Sequence, residues 1–286
     1  MEKLSPPKIY GLIGYPVKHS FSPAMHNAAF KALKINAEYK LFPLKENELA
    51  DFLRDLQRNN IFGLNVTIPY KEKVTPFLNS LSEEASLIGA VNTIRRTDER
   101  LEGFNTDGEG FLRHLTLDLR FNPQDKIIAI IGAGGAAKAV SIYLSQMNPK
   151  GIAIYDIDKA KLSGLVSHLE ENFPGIDFIQ ADSIAKLNIK DADLLVNATP
   201  IGMKETDPCL VNGDLLHRDL LVYDLIYNPG QTKLLKLART KGAQISNGLG
   251  MLLYQGMLTF EIWTGKPPPQ EIMRQALQRE LNRCQS

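Results

Sequence analysis

Apolar residues along this chain fall into two alternating rhythms. Short continuous runs, many of them β-branched, predict strands over Lys8–Gly14, Ala37–Leu44 and Gly63–Ile68. Between them apolar side chains recur at helical spacing, which predicts helices over Ala24–Leu33, with Pro23 in the first turn, and over Glu46–Arg58. Pro69 ends the third strand, and a further helix is expected to start at Lys71. The run Ile127-Ile128-Ala129-Ile130-Ile131 has the pattern of a parallel strand buried on both faces. Further strands are expected near Gly151, Asp177, Leu194, Leu220 and Gln244, with helices between the earlier ones. A helix over Gly110–Leu119 leads from the first group of strands to the second. Met251–Trp263 reads as a long apolar helix, and Pro267-Pro268-Pro269 separates it from an amphipathic one over Gln270–Arg283.

This alternation predicts an α/β protein of two domains. The expected boundaries place residues 1–112 in a substrate domain and residues 113–251 in a Rossmann-like domain with a parallel sheet. The last helices have no sheet of their own, so residues 252–286 are expected to return and complete the first domain.

The turn after Ile131 carries the clearest chemistry. In Gly132-Ala133-Gly134-Gly135-Ala136-Ala137, Gly132 suits a tight turn and Gly134 lets the backbone approach a pyrophosphate. Ala137 is small enough for the following helix to pack on the strand, and the N-terminus of that helix attracts phosphate. The next strand ends at Asp156, where such folds hold ribose hydroxyls. The reading is a nicotinamide dinucleotide site.

Polar clusters punctuate the first domain at the ends of its strands: Ser20 with Ser22, Asn65 and Thr67 with Lys71, Asn92 with Thr93, and Asn105 with Asp107. Strand ends on one side of a sheet converge, so these groups could line one pocket. Hydroxyls, amides, one ammonium and one carboxylate suit a small, polyhydroxylated, anionic ligand. Each residue also has an ordinary reading taken singly. Lys71 could be a surface lysine, Asp107 a helix cap, and Ser20 and Ser22 turn residues. His19 and His26 read as structural, and the apolar residues of the late helix as core.

Composition narrows the classes. The 286 residues carry 33 Lys+Arg against 32 Asp+Glu, a net charge of +1, which gives no broad electrostatic case for nucleic acid or a membrane surface. Two cysteines, Cys209 and Cys284, are too few for a disulfide framework and lack metal-ligand spacing. The start has no apolar signal core, and no apolar run reaches membrane-spanning length, so the expectation is a cytoplasmic enzyme without a metal.

With these motifs in view the chain resembles the shikimate dehydrogenases, including the quinate/shikimate dehydrogenases, almost from end to end. The resemblance rests on Gly14 through Pro23, Asn65 through Lys71, Gly89 through Thr93, Asn105 through Gly108 and the glycine turn. Asn197-Ala198-Thr199-Pro200 and Gly248-Leu249-Gly250-Met251 with Gln255 complete it. It implies NAD(P)-linked reduction of 3-dehydroshikimate to shikimate, with Lys71 and Asp107 as the catalytic pair. It implies that Ser20, Ser22, Asn65, Thr67, Asn92 and Gln255 bind the substrate, with Tyr227 near it. Gly132, Ala133, Gly134, Gly135, Ala136, Asp156, Thr199, Gly248 and Met251 would hold the cofactor. The NADP-specific pattern Asn-Arg-Thr after the second Rossmann strand is replaced here by Asp156-Ile157-Asp158, which favours NAD, with NADP possible from the resemblance. A monomer or homodimer is expected. The rivals are quinate dehydrogenase, a folate-linked methylene dehydrogenase and a non-catalytic sensor on the same fold.

Overall fold

A computed structural model describes residues 6–98 and 100–285. Its internal contacts divide the chain into one unit of Met1–Gly110 with Leu252–Arg283 and another of Phe111–Met251 with Cys284–Ser286.

In the first unit, β1 (Lys8–Gly14), α1 (Ser22–Ala32), β2 (Ala37–Pro43), α2 (Leu49–Arg54) and β3 (Ile61–Val66) alternate. β4 (Ser80–Leu81), α3 (Glu83–Ile88), β5 (Thr93–Thr97) and β6 (Arg100–Phe104) follow. The sheet has the order β2-β1-β3-β5-β6-β4. β1 runs parallel to β2 and β3, whereas β5 runs antiparallel to both β3 and β6. The start of β5 therefore lies at the same end of the sheet as the carboxyl ends of β1, β3 and β6. Ile13, Leu64, Val66, Ile88 and Ile94 are buried, and each such side chain contributes ~1.5–3 kcal/mol on leaving water.

Two expected helices come out differently. No helix starts at Lys71; residues 71–74 form turns that lead into one 3-10 turn, Thr75–Phe77. The Lys71 carbonyl accepts from Val91 N–H at 2.7 Å, and Pro76 has no N–H to continue a helical ladder. The helix expected over Glu46–Arg58 is a 3-10 turn, Glu46–Glu48, followed by α2 alone. The β5–β6 pair is an addition: its polar, glycine-flanked sequence lacks a strong apolar rhythm. Arg95 and Glu102 face one another across it, with Arg95 Nε donating to Glu102 Oε2 at 2.8 Å.

The second unit contains β7 (Ile127–Ile131), α5 (Gly135–Ser145), β8 (Gly151–Tyr155), α6 (Lys159–Asn172) and β9 (Asp177–Gln180). It continues with β10 (Leu194–Asn197), β11 (Leu221–Asp224), α7 (Lys233–Thr240) and β12 (Gln244–Ser246). All strands are parallel, in the order β12-β11-β10-β7-β8-β9. That is the doubly wound order, with its reversal between β7 and β10. The helix Asp107–Arg113, labelled α4, continues as a π-helical turn, His114–Asp118.

The chain closes with α8 (Leu249–Thr264) and α9 (Gln270–Gln285). α8 packs on the first sheet through Trp263, whose Nε1 donates to Ile94 O at 3.0 Å. Gly63 makes that approach possible, since a Cβ there would stand 2.3 Å from the indole nitrogen. Among the described residues no helix is long and apolar enough to cross a membrane, and no group of His, Cys, Asp and Glu could hold a metal ion.

Candidate active site

In the first unit Asn65, Lys71, Asn92, Thr93, Asn105 and Asp107 form one hydrogen-bonded network. Lys71 Nζ donates to Asp107 Oδ2 at 2.5 Å, and the two side chains are only 15% and 8% exposed. Asn92 Nδ2 donates to Asp107 Oδ1 and to Thr106 Oγ1, both at 2.9 Å, and reaches Gln255 Oε1 at 3.5 Å. The other face of Asn92 is also used, because its Oδ1 accepts from Thr106 N at 2.8 Å and from Thr93 Oγ1 at 3.0 Å. Asn105 Oδ1 accepts from Asp107 N at 3.0 Å and fixes the first residue of α4. Each side chain here is held by a neighbour, so the network fixes the orientation of the carboxylate and the ammonium.

Asn65 sits deeper than the sequence suggests. Its Oδ1 accepts from the Tyr39 hydroxyl at 2.9 Å, while Nδ2 lies within bonding distance of Asn92 O, Thr93 Oγ1 and Thr259 Oγ1. Thr259, on α8, also meets Thr93 Oγ1 at 2.8 Å and Thr106 Oγ1 at 3.2 Å. It is a buried hub that sequence reasoning missed, since a lone threonine in an apolar helix gives no signal. Ser20 Oγ donates to Ser22 Oγ at 3.2 Å and accepts from Ser22 N at 3.3 Å, bringing both hydroxyls together at the start of α1. Thr67 follows β3 and is anchored through its N–H to Ile13 O at 3.0 Å; a Cβ on Gly14 would strike its methyl group.

His26 belongs to the packing of this unit. Its ring stacks on Tyr39 with centroids 4.6 Å apart, neither nitrogen has a partner, and burial pushes its pKa down to about 3. It is a neutral core side chain.

The second unit brings together the glycine turn, Asp156 and the loop after β10. Gly132 has φ +116, and a Cβ there would lie 3.0 Å from Ala198 O, at the reversal of strand order. Gly134 is different: it has ordinary φ, and nothing lies within 4 Å of where its Cβ would be. Glycine at 134 therefore leaves open space beside the N-terminus of α5, whose first turn has no side-chain cap. That combination of space, backbone donors and helix dipole fits a dinucleotide pyrophosphate. The Asp156 carboxylate accepts from Ala133 N at 2.6 Å and from Asp158 N at 2.8 Å, which holds it against the turn with lone pairs to spare.

Thr199 is fixed by Asn197, whose Oδ1 accepts from Thr199 Oγ1 at 2.7 Å and from Thr199 N at 3.1 Å. Gly248 packs so closely that a Cβ would lie 1.9 Å from Leu225 O, and Gly250 lies against the His114 ring. His114 Nδ1 is 2.6 Å from the Tyr223 hydroxyl, whose pKa burial pushes far up. This buried pair beside Met251 was not read from sequence. Tyr227, expected near the substrate, belongs to the second unit, in the loop after β11, while the other expected substrate residues belong to the first.

Comparison with known proteins bears on the same residues. The family model "Shikimate dehydrogenase substrate binding domain" matches residues 12–94, and "Shikimate 5'-dehydrogenase C-terminal domain" matches residues 248–278. A shikimate dehydrogenase (NADP(+)) of Methanopyrus kandleri is 46% identical over 281 residues, covering 96% of each chain. A crystal structure of a shikimate dehydrogenase in complex with NADP+ aligns with a TM-score of 0.88 at 39% identity, over 96% of each chain. The shikimate 5-dehydrogenase of Listeria monocytogenes, in complex with shikimate and NAD, aligns with a TM-score of 0.84 at 35% identity, over 97% of this chain and 99% of that one. Identity at this level along nearly the whole length, with the motif residues gathered into two coherent clusters, means that the chain belongs to the shikimate dehydrogenase family.

Proposed function

We propose that the chain catalyses the reversible nicotinamide-linked interconversion of 3-dehydroshikimate and shikimate. The observation that carries this reading is the shielded Lys71–Asp107 pair. Oxidation of a secondary alcohol requires a hydride acceptor and a group that takes the hydroxyl proton; a bound nicotinamide supplies the acceptor. Lys71 and Asp107 act as one acid/base unit at the reacting hydroxyl, and Asn92 holds the carboxylate toward the ammonium. Ser20 and Ser22 take the substrate carboxylate, with Thr67, Asn92 and Gln255 on the ring hydroxyls. Asn65, whose amide is bonded to Tyr39, Thr93 and Thr259, serves as a support for those groups.

Gly132 through Ala136, Thr199, Gly248 and Met251 hold the dinucleotide. The relative from M. kandleri is named for NADP(+), so kinship alone does not favour NAD. The preference we propose for NAD rests on Asp156, fixed at the end of β8 where the adenosine ribose would lie. A spectrophotometric assay of shikimate and quinate, each with NAD and NADP, tests the whole reading. Expected is greatest kcat/KM with shikimate and NAD. Absence of turnover with every pair would sink the enzymatic reading, and preference for quinate would reassign the substrate.

A further inference from the structure

Asp224, the last residue of β11, is a buried carboxylate that the proposed chemistry leaves unused. Its Oδ2 accepts from Thr232 Oγ1 at 2.7 Å, and Thr232 also caps α7 through Leu235 N. Its Oδ1 accepts from Asn197 Nδ2 at 3.0 Å and from Ile226 N at 3.1 Å. Asn197 stands opposite Asp224 in the register of β10 and β11, and passes the connection onward to Thr199 and to Ile201 O. One carboxylate thus ties together the loops that follow two adjacent strands, at the carboxyl end of the sheet where α/β proteins bind their ligands.

We propose that Asp224 is a positioning residue for the dinucleotide reaction, setting Thr199 through Asn197 and the backbone before Tyr227 through Ile226. This rests on the reading that Thr199 touches the dinucleotide. The groups facing the carboxyl are neutral: the Thr232 hydroxyl, the Asn197 amide and the Ile226 N–H. Lys233, beside Thr232, turns its ammonium to Asp207 O at 2.7 Å instead. Burial accordingly raises the Asp224 pKa to about 6. A carboxylate with no cation opposite it is costly to keep in a fold. What it adds over a neutral acceptor is the strength of charge-assisted bonds to the two groups that place the loops.

The test compares Asp224→Ala and Asp224→Asn with the wild type, by steady-state kinetics and by fluorescence titration of NADH between pH 5 and 7.5. NADH is chosen because its phosphates do not titrate in that window. Asp224→Ala should raise the KM for dinucleotide about tenfold or more, the loss of the acceptor that holds Asn197 and Ile226, with a smaller fall in kcat. An asparagine can keep both bonds at one oxygen and donate to Thr232, so Asp224→Asn should stay within about threefold of wild type at pH 7.5. NADH affinity of the wild type should weaken below pH 6, and Asp224→Asn should lack that inflection. Kinetic constants of a folded Asp224→Ala within twofold of wild type would overturn the proposal. So would identical pH dependence of NADH binding in wild type and Asp224→Asn, a comparison that stands even if the alanine variant does not fold. Wild-type turnover of shikimate is measured separately, so failure of the activity reading and failure of this role remain distinguishable.

Discussion

The two candidate sites are built from different materials. In the first unit the site is made of side chains that bind one another: Lys71, Asp107, Asn92, Thr106 and Gln255 form a network centred on Asn92. In the second unit the pyrophosphate place is made of backbone and of space, with an uncapped helix N-terminus beside a glycine whose Cβ position is empty. The first kind of site fixes particular atoms and so suits chemistry at one carbon. The second suits a phosphate, which needs donors and room but little geometric detail. Substitutions in the Lys71–Asp107 network should therefore act sharply and on turnover, and those around the glycine turn more gradually and on binding.

Lys71→Ala is the largest expected effect. Removing the ammonium takes away the proton partner of Asp107 and leaves that carboxylate facing only Asn92. Turnover should fall by ~10²–10⁴, with a much smaller change in substrate binding. Near-normal turnover in this variant would dissolve the contrast, because the side-chain network would then be a binding device only.

Asp224 sharpens the comparison, because it is a place in the second unit where a buried side-chain network supports proposed cofactor residues. Its folded value of about 6 lies above the ordinary 3.8, so folding favours the protonated carboxyl. The stabilisation is complete below about 3.8 and is lost as pH rises toward 6, after which it changes no further. The gap corresponds to about 3 kcal/mol at 1.36 kcal/mol per unit. Urea unfolding of the wild type relative to Asp224→Asn, followed from pH 4 to pH 7, should show that loss and then a plateau. A constant difference across the range would mean that the carboxyl is not desolvated as described.

Ser22→Ala comes next. The Ser20–Ser22 hydroxyl pair stands at the start of α1, with Ser22 buried. If the pair takes the substrate carboxylate, losing one hydroxyl should cost ~1.5–3 kcal/mol in binding, a rise in KM of about 13- to 160-fold. The KM for dinucleotide should stay unchanged, and parallel rises in both constants would point to a folding defect instead.

The sequence was legible where one residue type does one local job. β7 with its glycine turn needs a β-branched run, Gly132 at positive φ and an open Gly134, and each leaves a mark on the chain. The strand-end polar residues were legible as a group for the same reason. Roles created by tertiary contacts were not. Lys71 reads as a helix start, yet Val91 takes its carbonyl; the bonds of Asn65 to Tyr39 and Thr259 are equally invisible to local pattern. Thr259, Asp224 and the His114–Tyr223 pair gain their meaning from residues tens to hundreds of positions away, and no local pattern records that.

The smallest expected effect concerns the cofactor, where a side chain intrudes on the backbone-built site. Asp156 is held by Ala133 N and Asp158 N, so it cannot easily turn away from the place we propose for the ribose. Asp158 is the N-cap of α6 through Lys161 N, and its bonds there hold its carboxyl below the usual carboxylate range, so it stays charged. A 2′-phosphate would meet the fixed Asp156 carboxylate, with a repulsion of about 4 kcal/mol at ~4 Å and an effective dielectric near 20, and Asp158 would add to it. Salt and nearby cations reduce that figure. Lys161 Nζ lies 3.3 Å from Asp158 Oδ2, and Lys159 Nζ lies 3.3 Å from Asp182 O, over the Tyr155 ring. Either ammonium could swing toward a phosphate by giving up an exposed, weak contact. About a quarter to a half of one such repulsion should survive, a five- to thirtyfold preference for NAD over NADP. Asp156→Ala should narrow or reverse that preference by weakening NAD and admitting NADP, read as the ratio of kcat/KM for the two dinucleotides at saturating shikimate. A wild-type ratio in favour of NADP, unchanged in the variant, would show that Lys159 and Lys161 rather than Asp156 govern the choice.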